Sequence, residues 1–339
     1  MESSRHRSIF KYHPEWGYQF RPGLYVRVAH FEPHNQRDRS SYLITTNARG
    51  GRTTHEPRPA GEATLDLLWL GCSFTAGDGV SNRHRFSDLV EAGLAGLRCH
   101  NWALSGAGND QQYLIHRLIA PELRPRVLIL SPYVGCLGRD LAPGRESFDP
   151  FCNRRIYRPK PYFTLEGEEL VLHNSPVPRV RLLGRPKPED RREEPLTSLG
   201  RRALGRLRRL VAGPEEDLGE LVHYRDHQGP AYRLTRAILL KTLAESQARY
   251  KILAPLPHHP YFLQGRPPDY LELFQEVAQR AGAQVWDVLP VLKLPDGEQA
   301  RRLVLSHNHY SERAHRLLAD FFITRLQGLL GLERRGQDG

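Results

Sequence analysis

The sequence has little of what would classify it at once. It contains only four cysteines, at positions 72, 99, 136 and 152, and none forms a CxxC pair. So few in a chain of 339 residues exclude a disulfide framework and make the cytoplasm the expected location. No apolar run is long enough to cross a bilayer. Residues 1–11 are polar and basic and lack the apolar stretch of a secretory leader, so no signal peptide is expected. There is no internal repeat. RRM, KH, zinc-finger and helix-turn-helix signatures are all absent, which argues against nucleic acid as a partner.

The composition that remains is that of a folded chain. Hydrophobic residues make up 39% and charged residues 26%, which suits a globular protein and not a disordered one. The length fits one large α/β domain with insertions, or two smaller domains. The net charge of +11 serves solubility first and leaves room for an anionic small-molecule partner.

Residues 24–29 and 42–46 alternate apolar and polar, then meet the turn signal Asn47-Ala48-Arg49-Gly50-Gly51. A small β hairpin packed on the main domain is expected there. From residue 65 the pattern changes. Residues 65–71 and 126–131 are nearly continuous apolar runs, as in strands buried on both faces. A helix over 86–97, a strand near 99–103 and a helix over 110–119 lie between them. This alternation predicts a parallel sheet covered by helices. It breaks at about 140–228, where residues 162–172 read as a hairpin, 179–192 as a basic, proline-containing stretch, and 199–210 as a basic helix. It resumes with helices over 232–248 and 269–281, strands over 251–255 and 284–288, and a last helix from Ser311, an N-cap candidate, to about 329. The expected division is an N-terminal β extension (1–63), a core (64–140 and 229–335) and an insertion (141–228).

Three stretches carry chemistry. Gly71-Cys72-Ser73-Phe74-Thr75-Ala76-Gly77 follows the first buried strand, where an open parallel sheet binds its ligands. Asn101-Trp102-Ala103-Leu104-Ser105-Gly106-Ala107-Gly108 follows the second, and a glycine there lets a backbone N–H approach an oxyanion. His307-Asn308-His309-Tyr310-Ser311 precedes the last helix, from which a histidine can lean over the strand ends.

Taken together and in order, these stretches resemble the blocks of the SGNH/GDSL hydrolases. Gly71-x-Ser73-Phe74-Thr75 is similar to the first block, Gly106 to the oxyanion glycine of the second, and His309 to the histidine of the fifth, with Ser311 and His315 fitting the polar-x-x-x-His continuation of that block. Gly17-Tyr18-x-Phe20-x-Pro22-Gly23 and Asn47-Ala48-Arg49-Gly50 resemble a leader that many bacterial members carry. The resemblance spans about 64–140 and 230–330. It implies a flavodoxin-like three-layer sandwich with a mostly parallel five-stranded sheet. It also implies a serine-dependent hydrolase or acyltransferase acting on a small-molecule ester or thioester, with Ser73 as nucleophile, His309 as base, and no cofactor.

Two departures stand out. The family's third-block asparagine is missing from Ser131-Pro132-Tyr133-Val134-Gly135-Cys136-Leu137-Gly138-Arg139. Cys136 takes its slot, with Arg139 or a backbone amide as substitute donor. The family's aspartate, two residues before its histidine, is replaced by His307, and Asp78, Asp140 and Asp287 are the other acids considered. Losing an oxyanion donor costs ~10²–10³ in rate, and losing the acid about 10⁴. These departures leave two alternatives open: a catalytically degenerate binding or scaffold protein, and a metal site at His307-x-His309 completed by Cys136 or Asp78. In the insertion, Tyr162 and Phe163 are read as hairpin core before pocket lining, and Arg179, Arg181, Arg185 and Lys187 as a solvated basic face before an anion site.

Overall fold

A computed structural model describes residues 8–29, 41–53, 64–149, 154–184, 224–305 and 308–335. Two antiparallel ribbons open the chain. One pairs β1 (Phe10–His13) with β2 (Gly17–Phe20), and the other pairs β3 (Tyr25–Ala29) with β4 (Ser41–Thr45). The second is the hairpin expected from the alternating pattern. Trp16, Tyr18, Phe20 and Ile44 leave these ribbons to join the main hydrophobic core. Gln111 Nε2 donates to Trp16 O (2.7 Å) and ties the first ribbon down.

The α/β alternation begins with β5 (Leu65–Gly71), buried from Leu67 onward. It continues through α1 (Ser73–Ala76), α2 (Phe86–Gly93), β6 (Leu97–Asn101), α3 (Asn109–Leu123), β7 (Val127–Ser131) and the short α4 (Leu137–Asp140). Three antiparallel strands follow in the order β12-β9-β8: β8 (Gly144–Asp149), β9 (Arg154–Pro159) and, later in the chain, β12 (Arg181–Gly184). Between β9 and β12 lies the hairpin of β10 (Tyr162–Glu166) and β11 (Glu169–His173). The hairpin matches the sequence reading. The three-stranded piece was not expected, because its arginine-rich strands carry no clean period-two pattern. Arg185, Lys187 and the basic helix expected over 199–210 lie outside the described residues.

The core resumes with α5 (Pro230–Glu245), β13 (Tyr250–Leu253), α6 (Leu271–Ala281), β14 (Gln284–Val285) and α7 (Glu312–Leu330). Strand β14 is shorter than its sequence pattern suggests. Asp287 Oδ1 accepts from Leu289 N–H (2.9 Å), turning the chain out of the sheet. Ser311 caps α7 as expected, its hydroxyl accepting from Ala314 N–H (3.4 Å).

The sheet order is β14-β13-β7-β5-β6, and every neighbouring pair is parallel. Counting only these strands along the chain, the order is 2-1-3-4-5, the flavodoxin-like doubly wound topology. Trp69 in the middle of β5 packs on Phe86 of α2 and Phe322 of α7, both with ring centroids at 4.8 Å. Helices α3, α5 and α6 pack against one another over the other face. The crossover reverses beside β5, so the strand ends of β5, β6 and β7 border the crevice in which such sheets bind ligands. Among the described residues no helix is long and apolar enough to cross a membrane.

Candidate active site

Ser73 stands at this crevice because β5 turns straight into α1. A Cβ on Gly71 would lie 2.1 Å from Thr75 Oγ1 and 2.8 Å from Ser131 O, so only glycine lets α1 fold back over the strand end. Three elements then fix the turn. Thr75 Oγ1 donates to Ser131 O at the end of β7 (3.2 Å), and Asn101 Nδ2 at the end of β6 donates to Thr75 O (2.8 Å). The fully buried Arg52, from the N-terminal region, donates to the carbonyls of Ala76, Gly77 (2.8 Å) and Val80 (2.6 Å), and through Nε to Asn82 Oδ1 (3.0 Å).

His309 is presented by a tight turn. Leu305 N–H donates to His309 O (2.7 Å), Ser311 N–H to Leu303 O (2.8 Å), and Tyr310 Oη–H to Pro257 O (2.6 Å). Its ring stacks on Phe74 (4.7 Å between centroids), and Phe74 stacks on Tyr133 (4.0 Å). Phe74 is the neighbour of Ser73, so one stack positions both groups. The outcome is a 2.8 Å contact between His309 Nε2 and Ser73 Oγ across 236 residues of sequence. Ser73 is nearly buried, at 7% exposure.

Gly106 also reaches this rim. Its φ of +77° lies in the left-handed region, and Leu104 N–H donates to Gly71 O (3.0 Å), joining the loop after β6 to the end of β5. Among the described residues the N–H groups of Ser73 and Gly106 donate to no group of the chain. Tyr18 Oη–H donates to Ser105 O (2.6 Å) and braces the same loop from the first ribbon.

Cys136 is fully buried, with its Sγ 4.0 Å from Ala107 O. Its thiol also hydrogen-bonds Cys72, whose Sγ lies 4.0 Å from Ser73 Oγ. Burial opposes charge on Cys72, but the Cys136 thiol, the Arg139 charge and the Phe74 amide outweigh it and hold Cys72 below the usual thiol range. Burial and the bond to Cys72 push Cys136 well above the usual thiol range. Among the described residues Cys72, Cys99 and Cys136 are free thiols. Arg139 on α4 lies with its Cζ 6.0 Å from the centre of the Tyr133 ring.

His307 lies outside the described residues. The three acids weighed against it have structural bonds of their own. Asp78 Oδ1 accepts from Ser105 Oγ (2.7 Å). Asp140 accepts from Asn109 N–H (2.7 Å), Asn109 Nδ2 (2.8 Å) and Thr235 Oγ1 (2.6 Å). Asp287 holds the turn after β14. His315 is buried one turn into α7, where Nδ1 accepts from Phe86 N–H (3.3 Å). Burial, then Arg85 and Arg52, lower it to about 3 and keep it neutral. Phe163 packs on Tyr113 of α3 (5.6 Å) in a second small core, so it is hairpin core as expected. No group of three potential metal ligands occurs among the described residues.

Sequence reasoning missed Arg52 and Asn101, which set the Ser73 turn, and Arg145, whose Nη1 stands over Gly106. Asn101 opens the stretch that ends in Gly106-Ala107-Gly108. The arginines carry no local signal among 49 lysines and arginines.

No family model matches the sequence, and no curated protein does. The solved structures to which the chain is similar include a lipase/acylhydrolase from Enterococcus faecalis. It is 14% identical, with 80% of this chain and 100% of that one covered, at a TM-score of 0.43. A member of the lipolytic G-D-S-L family from Veillonella parvula is 12% identical over 77% of this chain and 97% of its own, at 0.41. A protein from Lactobacillus plantarum is 13% identical over 79% and 99%, at 0.44.

Proposed function

We propose that this chain is a serine-dependent ester or thioester hydrolase, or an acyltransferase, of the SGNH type. The observation that carries this reading is the 2.8 Å contact of Ser73 Oγ with His309 Nε2 at the rim of the sheet. A serine hydroxyl is a weak nucleophile until a base within hydrogen-bond reach takes its proton. With Nε2 accepting, the imidazole proton resides on Nδ1, the tautomer a general base needs.

Ser73 Oγ attacks the acyl carbonyl as His309 removes its proton. The carbonyl oxygen becomes an oxyanion, received by the amides of Ser73 and Gly106. His309 returns the proton to the leaving oxygen or sulfur, which leaves an acyl-serine. Water or an acceptor alcohol or amine then repeats the sequence in reverse, giving hydrolysis or acyl transfer. Cys136 replaces the third-block asparagine with a weak donor, so the two amides bear most of the oxyanion's charge. Arg139 adds positive potential close to Cys72 and the nucleophile.

Incubation with a fluorophosphonate probe tests the reading. A covalent adduct on Ser73, lost in Ser73→Ala and strongly slowed in His309→Ala, is the expected result. An unlabelled, folded parent chain rejects it.

A further inference from the structure

The mechanism leaves a group of cations beside it unexplained. Arg145 on β8 and Arg158 on β9 are direct partners in the antiparallel register. Their side chains therefore share one face of the strand pair, and like charges placed opposite one another there repel. Glu146 occupies the other face and pairs with Arg155 (2.7 Å).

The arginine face meets the oxyanion loop. A Cβ on Gly106 would come within 2.7 Å of Arg145 Nη1 and 3.2 Å of Tyr18 Oη. Arg158 Cζ lies 5.5 Å from the Tyr18 ring centre. Arg145, Arg158 and Arg139 all act on Tyr18 through their charge, with Asp78 as the opposing carboxylate. Arg145 thus stands over the turn that carries Gly106, and Asp78 holds Ser105 of the same turn. Arg145 is exposed and, among the described residues, makes no hydrogen bond or ion pair. Its guanidinium stands against the loop next to the nucleophile.

We infer that Arg145 and Arg158, with Arg139, receive an anionic group of the substrate beside the scissile bond. The inference rests on the acyl-transfer reading and narrows it to esters or thioesters that carry a carboxylate or phosphate. A guanidinium fork matches the two oxygens of either group. The local positive potential also raises the encounter rate with an anion.

Two measurements test this. The first compares kcat/KM for three esters with the same leaving group: 4-nitrophenyl butyrate, which is neutral, mono-4-nitrophenyl glutarate, which carries a carboxylate, and 4-nitrophenyl 4-phosphonooxybutyrate, which carries a phosphate. At least one anionic donor is expected to exceed the neutral one by about tenfold or more, the scale of one charge-assisted contact. The doubly substituted chain, Arg145→Gln with Arg158→Gln, is expected to bring that ratio to about one. The better anionic donor tells carboxylate from phosphate. A parent chain that prefers the neutral ester overturns the inference. The second measurement needs no turnover: calorimetric titration of the parent and doubly substituted chains with glutarate and with inorganic phosphate. Saturable binding that is lost in the substituted chain upholds the anion site even if Ser73 fails to react with a fluorophosphonate, in which case the catalytic reading falls alone. A parent chain that is labelled on Ser73 but binds neither anion and shows no charge preference removes the anion site and leaves the catalytic reading standing.

Discussion

The two ends of the parallel sheet differ instructively. At the start of β7 and β13 lies a cavity of about 290 Å³ lined by the C-terminal halves of α3 and α5, including His116, Arg117, Arg124 and Glu245. It has an imidazole, two guanidiniums and a carboxylate, and its residues come from two helices and the turns after them. At the opposite end side chains and amides arrive from the loops after β5, β6 and β7 and from the turn before α7. Among the described residues, only at that end does one histidine meet one serine at hydrogen-bonding distance. Reactive residue types occur at both ends, so what sets the second apart is convergence dictated by strand order, not polarity.

The largest expected effect would break this contrast if it failed. Ser73→Ala and His309→Ala should each lower kcat on an activated ester by about 10⁴-fold or more, with an unchanged thermal transition. His116→Gln at the far cavity should leave kcat at the parent level. Equal losses at both ends would show that the far cavity takes part.

Next comes the attachment of the insertion to the core. Lys160, buried at the end of β9, forms an ion pair with the wholly buried Asp110 at the start of α3. Lys160→Ala strands that carboxylate and should cost about 3–5 kcal/mol in urea unfolding. A loss below about 1 kcal/mol would mean that the insertion is only loosely seated.

Gly106→Ala sharpens the contrast from the rim side. The added Cβ meets both a positive φ and Arg145, so kcat on a neutral ester should fall by ~10²–10³, measured beside the thermal transition.

The smallest effect concerns acid. Burial lowers His315 to about 3, and His116 at the far end to about 4. Both stay neutral when folded, whereas the unfolded chain protonates them near 6.5. The unfolded state therefore binds more protons below that value. Their contribution to stability is present above pH 6.5 and is lost as pH falls toward 4 and then 3. By pH 5 the loss from His315 should reach about 2 kcal/mol. Urea midpoints at pH 7.5 and 5.0 check this, and His315→Asn should flatten the dependence.

Much of the sheet was legible because a strand buried on both faces has to be apolar along its whole length. Residues 67–70 and 127–130 satisfy that rule without help from the rest of the chain. Ser73, Gly106 and His309 were singled out in the sequence, the first two after strands and the third before the last helix. The supports were not. Arg52 acts through backbone carbonyls, and carbonyls leave no mark in a sequence. Strand β8 holds one arginine among glutamate, serine and phenylalanine, and β9 carries arginine on both faces, so neither periodicity nor polarity separates their faces. Cys136 was read into the slot of the missing asparagine, but only its packing shows its thiol against Ala107. His315 fits the motif as well as His309 does. Burial against Phe86 makes it a structural residue, and burial depends on the whole fold.

Arg52 also ties the N-terminal region to the turn that carries Ser73. A shortened chain beginning at residue 64 would keep its five strands and most of its apolar interior. The carbonyls of Ala76, Gly77 and Val80 would lose their common donor. The serine would then ride on a slack turn, its aim at the imidazole spread over many orientations. Such trimming also removes Trp16, Tyr18, Phe20 and Ile44 from the main core, so the leading residues serve the interior and the serine turn at once.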